Sequence, residues 1–146
     1  MLDVLVEDMG KIFCCAELGG GGTLTPESVR VAETGVRNVL KHFDVIDGQI
    51  TTEEWCGRTQ SRMMEVPDGA CYAMAMDDGI YEPLHDLYSE VEAGTPIGQI
   101  HFIASPERSP QLVIAEVRGV VYARHASGLV QKGDTVAILA RDSTRF

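Results

Sequence analysis

The sequence is poor in positive charge. It has three lysines, Lys11, Lys41 and Lys132, and its 12 basic residues face 22 acidic ones. No Lys/Arg cluster builds the basic face that a nucleic-acid binder needs, so nucleic acid is not an expected partner. The net charge of −10 is not a tail either: residues 1–65 and 66–146 each hold 6 basic and 11 acidic side chains. An evenly acidic surface reads as solubility. No stretch approaches the roughly 20 apolar residues of a membrane span. The opening MLDVLVEDMGK is acidic, without a basic n-region or a long apolar run. It does not read as a signal peptide, and the cytoplasm is the expected compartment.

Metal and disulfide patterns are missing as well. Cys14, Cys15, Cys56 and Cys71 form no CxxC pair, which excludes a zinc ribbon and a secreted disulfide framework. The expectation is free thiols, with at least one of Cys14 and Cys15 buried on an apolar strand. His42, His85, His101 and His125 are scattered and make no HxxH, HxxE or HExxH. A zinc site needs three or four convergent ligands, and local sequence supplies no such set. There is no Gly-x-Ser-x-Gly nucleophile motif.

What is present changes texture along the chain. Residues 2–9 read as a helix closed by Gly10. Residues 11–16 (KIFCCA) read as a short buried strand. Glu17-Leu18 then leads into four consecutive glycines, residues 19–22, which suit a loop rather than a helix or strand. Thr25 is a helix cap with Pro26 at the favoured first position, and the predicted helix runs to about Phe43. Its apolar positions Val29, Ala32, Val36, Val39, Leu40 and Phe43 share one face. Arg30, Glu33, Arg37 and Lys41 fall on the other. This N-terminal third is an α/β pattern with one strand, and one strand cannot make a sheet. The piece therefore completes a sheet from elsewhere, or it is part of something larger.

Beyond a polar connector at 51–65, glycines recur at 69, 79, 94, 98, 119, 128 and 133 among short strand-like runs, an all-β signature. The segment repeats internally. Gly79 matches Gly119, Val91 matches Val130, Gly94 matches Gly133, and Ile97 and Ile100 match Val136 and Leu139. The copies lie 39–40 residues apart. Two such halves would face each other as a barrel-like sandwich. Biotinyl and lipoyl carriers are built this way, but they carry a lysine at a hairpin tip. Residues 101–116 contain none, and Met74-Ala75-Met76 has alanine where a biotin-type motif has lysine.

Glu17 beside the glycine run is the candidate catalytic group. A carboxylate at the end of a parallel-type strand lies where α/β sheets place ligands, and a bare backbone loop behind it admits substrate closely. The matching chemistry is general acid–base work. The glycine run lacks the Lys-Ser/Thr of a phosphate loop.

These pieces, in this order, resemble the C-terminal part of the succinylglutamate desuccinylase/aspartoacylase family of zinc-dependent deacylases. The likeness is greatest to its bacterial N-acyl-diaminobutyrate deacetylase-like members. It rests on Cys15-Ala16-Glu17-Leu18-Gly19-Gly20-Gly21-Gly22-Thr23 and on Gly35-Val36-Arg37-Asn38-Val39-Leu40. The β segment adds Asp78-Gly79-Ile80-Tyr81-Glu82-Pro83, Val91-x-Ala93-Gly94-x-Pro96-Ile97-Gly98 and Val130-x-x-Gly133-Asp134. The resemblance implies a carboxypeptidase-like catalytic domain followed by a β domain. It implies a zinc ion held by an HxxE pair and a later histidine, which activates water for attack on an amide carbonyl. It places Glu17 at the family's general base/acid and Gly19 and Gly20 at the substrate floor.

The expected HxxE pair and third histidine have no counterpart in the 16 residues before Glu17. The expected fold is thus α+β. Residues 1–50 would be an incomplete carboxypeptidase-like α/β piece, 51–65 a connector, and 66–146 an all-β barrel-sandwich with a lipoyl-like internal repeat. The expected function is the C-terminal portion of a zinc-dependent deacylase of small N-acyl amino acids. The chain alone should bind no zinc and be inactive, working as a homo-oligomer or with a missing N-terminal half. The rival reading is a non-catalytic β-sandwich module for binding or assembly.

Overall fold

The computed structural model describes residues 2–51 and 62–143. Trp55 and Cys56 of the connector lie outside the described residues. The chain divides into two compact units, Met1–Glu53 and Glu54–Phe146.

The first unit is built by local signals. Helix α1 spans Leu2–Asp8. Gly10 ends it with φ +68°, its N–H donating to the Glu7 carbonyl at 2.8 Å while Lys11 N–H donates to Val6. That left-handed closure is the one the sequence predicts. Helix α2 spans Pro26–His42. Thr25 Oγ1 accepts from Ser28 N–H, and Ser28 Oγ accepts from Thr25 N–H, each at 3.1 Å. This capping box satisfies two groups at the helix start that would otherwise lack partners. Beyond Phe43 the chain folds back along the helix. Asn38 holds both backbone groups of Thr51, and Lys41 Nζ donates to the Gln49 carbonyl.

One expectation fails in this unit. Residues 11–16 are not a strand, because no second strand among the described residues offers its backbone a ladder. Neither Cys14 nor Cys15 is buried, for the same reason: no second layer covers them. Cys71, in the other unit, is the buried free thiol.

The second unit is antiparallel throughout. Its strands are β1 (Met64–Glu65), β2 (Tyr72–Met74), β3 (Gly79–Pro83), β4 (Glu90–Val91), β5 (Pro96–His101), β6 (Gln111–Ile114), β7 (Gly119–Arg124), β8 (Leu129–Val130) and β9 (Thr135–Asp142). One sheet runs β1-β9-β7-β4, with β2 also on β9. The other runs β6-β5-β3-β8. Strand β1, inside the stretch expected as connector, pairs Met64 with Asp142 and Glu65 with Arg141.

The pairing is reciprocal between the two stretches that match in sequence. Gly79 pairs with Val130, and Gly119 pairs with Val91. Each glycine-led strand thus receives the short valine strand of the other stretch. The glycines are needed for close approach. A Cβ on Gly79 would run into the His101 carbonyl and Ile100, and one on Gly119 would sit 2.8 Å from the Ala140 carbonyl. Gly94 and Gly133 take φ +85° and +95° in the turns after β4 and β8, a region that strains side-chain-bearing residues.

Ile97, Ile100, Val130, Val136 and Leu139 are fully buried in the core of this unit, and Cys71 is fully buried in the short helical turn Gly69–Cys71, outside that cluster. Strand β9 does not alternate strictly, because β7 and β2 both shift register against it, between Val121 and Ala123 and between Ala73 and Met74. Such bulges bend a strand and change which side chains turn inward.

Candidate functional site

Glu17 lies in the stretch between Gly10 and the glycine loop, exposed to solvent, and makes no ion pair among the described residues. It does not sit at a strand end, since that stretch forms no strand here. What the structure does fix is the loop behind it. Thr23 donates to the Gly20 carbonyl from both its N–H (3.0 Å) and its Oγ1 (2.6 Å). Gly21 and Gly22 between them have φ +58° and +72°. Positive φ at both central residues is the backbone sense of a type I′ turn, which side chains disfavour. Gly19 has φ +91°, and a Cβ there would stand 2.9 Å from the Thr23 carbonyl. Gly20, by contrast, has open space where a side chain would go.

The turn feeds directly into the Thr25 cap, so Glu17, Gly19 and Gly20 occupy one short span at the N-terminal end of α2. The chain there presents a carboxylate, an exposed glycine backbone and a helix start. The set can accept or donate one proton and can lie flat against a small planar group such as an amide.

Metal ligands do not join it. Among the described residues, no group of three or more His, Cys, Asp or Glu side chains converges in a way that could hold a metal ion. The zinc ion implied by the resemblance therefore does not fit the described residues. Three of the four histidines that look isolated in the sequence have other partners. His101 Nε2 lies 2.6 Å from Glu82 Oε2. His125 Nδ1 is 2.9 Å from the Ser127 carbonyl. His42 stacks edge-on against Phe43 at 4.9 Å.

Two polar groups escaped the sequence reading. Asn38 clamps the end of the first unit, and a poor helix former in mid-helix was the signal that it bonds something other than its own helix. Arg62 joins Asp142 (Nη2–Oδ2 2.8 Å) and Glu90 (3.1 Å), tying β1, β9 and β4 together. It lines an open cavity of about 310 Å³ with Arg118 and Arg141. All three guanidinium groups already face carboxylates there: Arg118 meets Glu92 and Arg141 meets Asp68. The cavity is a braced seam of the β unit, and Glu17 is not among its lining residues.

Among the described residues no helix is long and apolar enough to cross a membrane.

No protein-family model matches the chain. A relative from Halomonas elongata, an N-alpha-acetyl-L-2,4-diaminobutyric acid deacetylase, is 34% identical over 140 residues, which make up 96% of this chain and 40% of the deacetylase. The crystal structure of a succinylglutamate desuccinylase/aspartoacylase from Rhodobacter sphaeroides matches with a TM-score of 0.89 at 34% identity, over 97% of this chain and 43% of that one. The product-bound structure of the ectoine utilization protein EutE (DoeB) from Ruegeria pomeroyi matches with a TM-score of 0.86 at 32% identity, over 96% of this chain and 41% of that one. The chain thus spans about two fifths of the length of these relatives. These homologues and structural neighbours are members of the succinylglutamate desuccinylase/aspartoacylase family, and the chain corresponds to the C-terminal part of those proteins.

Proposed function

We propose that this chain is the C-terminal portion of a zinc-dependent deacylase of small N-acyl amino acids, with Glu17 as its general base and acid. One observation carries the reading. The 34% identity to a diaminobutyric acid deacetylase extends over 96% of the chain, a span that contains Glu17 and the glycine run. The family as a whole comprises deacylases of N-acyl amino acids.

The chemistry asked of Glu17 is proton transfer. Its carboxylate takes a proton from water as the water oxygen bonds to the amide carbonyl carbon. The same proton passes to the amine nitrogen as the C–N bond breaks, leaving a free amine and a carboxylic acid that gives up its remaining proton to solvent. Gly19 and Gly20 form the floor, where the lack of side chains lets the acyl group lie against backbone. The zinc ligands lie outside the described residues in this reading, so the chain alone is inactive. We further assign residues 1–50 as the remnant of the peptidase-like domain, 51–65 as connector and 66–146 as a lipoyl-like barrel-sandwich. The reciprocal pairing of Gly79 with Val130 and Gly119 with Val91 supports the two-halved sandwich. A cytoplasmic homo-oligomer is the expected working form.

A second reading has one observation in its favour. Every buried apolar residue described lies between Cys71 and Ala140, so the β unit by itself suits a non-catalytic binding or assembly module.

Hydrolysis of N-acetyl-2,4-diaminobutyrate separates the two. The assay pairs the chain with the unmatched portion of the Halomonas elongata relative, in the presence of zinc. The deacylase reading expects no turnover by the chain alone and turnover by the pair. It expects Glu17→Gln to lower kcat by roughly 10²–10⁴-fold. Turnover by the chain alone, or an unaffected Glu17→Gln, would overturn it.

A further inference from the structure

We propose that the outer face of the sheet β6-β5-β3-β8 is where two copies of this chain meet, face to face about a two-fold axis. The proposal rests on the homo-oligomer expected above and names its surface. It is independent of the chemistry assigned to Glu17.

The pairing of the strands defines this face. Tyr81, Ile100, Val113 and Val130 are buried on the core side of β3, β5, β6 and β8. An antiparallel sheet with one solvated face normally carries polar residues at the positions between. Here Leu129, Ile80 and His101 lie side by side across β8, β3 and β5. Glu82, Gln99 and Leu112 form the next row, across β3, β5 and β6. Ile114 follows Leu112 on the same side of β6. Ile80, Leu112, Ile114 and Leu129 are 45%, 52%, 40% and 63% exposed. Four large aliphatic side chains gathered on one solvated sheet face mark a contact surface.

Charge separates this face from the other. Glu82 is the one acid on these four strands. Its Oε2 accepts from Gln99 Nε2 at 2.6 Å and lies 2.6 Å from His101 Nε2. The face thus supplies its own partners for the single carboxylate that a contact would cover, which is what burying a charge requires. The strands of the other sheet instead carry Glu65, Glu90, Arg124, Arg141 and Asp142. Arg62 meets Glu90 there, Arg124 meets Asp86 and Arg141 meets Asp68, pairs that suit water. The sandwich has one charged side and one apolar side.

The charge balance also selects the occupant. The chain carries −10, so two copies repel wherever their acidic surfaces approach. That repulsion is least where the one acid is already hydrogen-bonded and its neighbours are aliphatic. A two-fold axis sets such a patch against itself, so no second complementary surface is needed. Four strands about 4.8 Å apart, each up to about five residues of 3.4 Å, give a footprint on the order of 300 Å². A standard interface takes roughly 800 Å² from each partner, so this contact is reversible.

Sedimentation equilibrium of the full 146-residue chain is the test. A monomer–dimer equilibrium is expected, with a dissociation constant on the order of 0.1 mM, as suits a contact below standard size. Because the copies repel, raising salt from about 0.05 M to about 0.5 M should tighten the dimer at least about 2-fold. Leu112→Glu and, separately, Leu129→Glu set a new like charge in both halves of the contact. Each should weaken the dimer at least about 10-fold. Both positions are exposed, so the unfolding midpoint should not move. Tyr122→Glu, at an exposed position of β7 in the other sheet, and Val36→Asp, on α2, should leave the dimer within about 2-fold.

A dimer that keeps its affinity in Leu112→Glu or Leu129→Glu overturns the proposal, as does one that tightens when salt is removed. Loss of association in Val36→Asp alone also overturns it, and leaves the homo-oligomer standing on another surface. A chain that stays monomeric up to roughly 1 mM removes the surface and the homo-oligomer together. None of these results touches the deacylase reading, which stands or falls on turnover.

Discussion

The two units of this chain hold their shape by different means. From Leu2 to Thr51 a single described residue, Ser28, is buried, and it is the polar residue of the capping box. From Ala73 to Leu139 a cluster of aliphatic and aromatic side chains fills the space between strands. The first unit has punctuation without a core: caps, a glycine turn and an asparagine clamp. The second has a core and reciprocal pairing that locks it. Local hydrogen bonds decide where a helix starts and stops, but tertiary packing supplies most of its stability.

The largest test of that contrast is truncation of side chains. Leu139→Ala should cost the β unit about 2–5 kcal/mol in urea unfolding, because Leu139 is fully buried. Val36→Ala, at an exposed site, should stay within about 0.5 kcal/mol in the isolated chain. Comparable costs at the two sites would break the comparison. Gly79→Ala comes next. Its added Cβ meets strand backbone at His101 rather than a movable side-chain tip, so about 1–3 kcal/mol should be lost from the β unit's unfolding midpoint.

A smaller effect sharpens the other side. Thr25→Ala removes half of the capping box and should cost α2 about 1 kcal/mol. The loss should appear as reduced helical circular dichroism, with the melting of the β unit unmoved. A joint loss of both signals would mean the units unfold as one. The smallest effect is with pH. Hydrogen bonds from Gln99 and then His101 hold the Glu82 carboxyl below its usual range, and Arg108 does the same for Asp77. Depressed carboxyls stabilise the fold above their ordinary pKa, and that contribution fades as pH falls through the lowered folded value. Glu82→Gln should therefore lower the β unit's stability slightly at neutral pH, leave it nearly unchanged in acid where the contribution is already lost, and so flatten the acid limb of the stability profile. A loss of equal size at neutral and acid pH would contradict the assignment.

Much of the first unit was legible because its signals are adjacent in sequence. Gly10, Thr25-Pro26 and the α2 stripe each depend on neighbours within one or two turns. Residues 11–16 were misread for the opposite reason. Their composition says strand, but a strand exists only with a partner, and composition carries no information about whether one is present. In the β segment the recurring glycines and the matched valines were visible. That β4 crosses to β7 and β8 to β3 was not, because register between distant strands leaves no local mark. At the candidate site, Glu17 and the glycines stand out by type and spacing, and the tight turn behind them follows from glycine's conformational freedom. The Arg62 bridge was hidden, since its partners Glu90 and Asp142 are 28 and 80 residues away.

The pairing of Met64 with Asp142 places the two ends of the β unit side by side. Ends that meet can be joined, and a chain joined there can be opened elsewhere without changing which strands are neighbours. The loop between β5 and β6 is the natural place to open it. The sheet ladders begin beyond the loop, so a cut there spares them, although Arg108, 3.6 Å over the Phe102 ring, also ties the loop to Asp77 at 3.0 Å. The β unit is in that sense a closed circuit whose starting point is arbitrary. Its order of strands in the gene could be rotated, whereas the first unit, fixed by caps that read in one direction, could not.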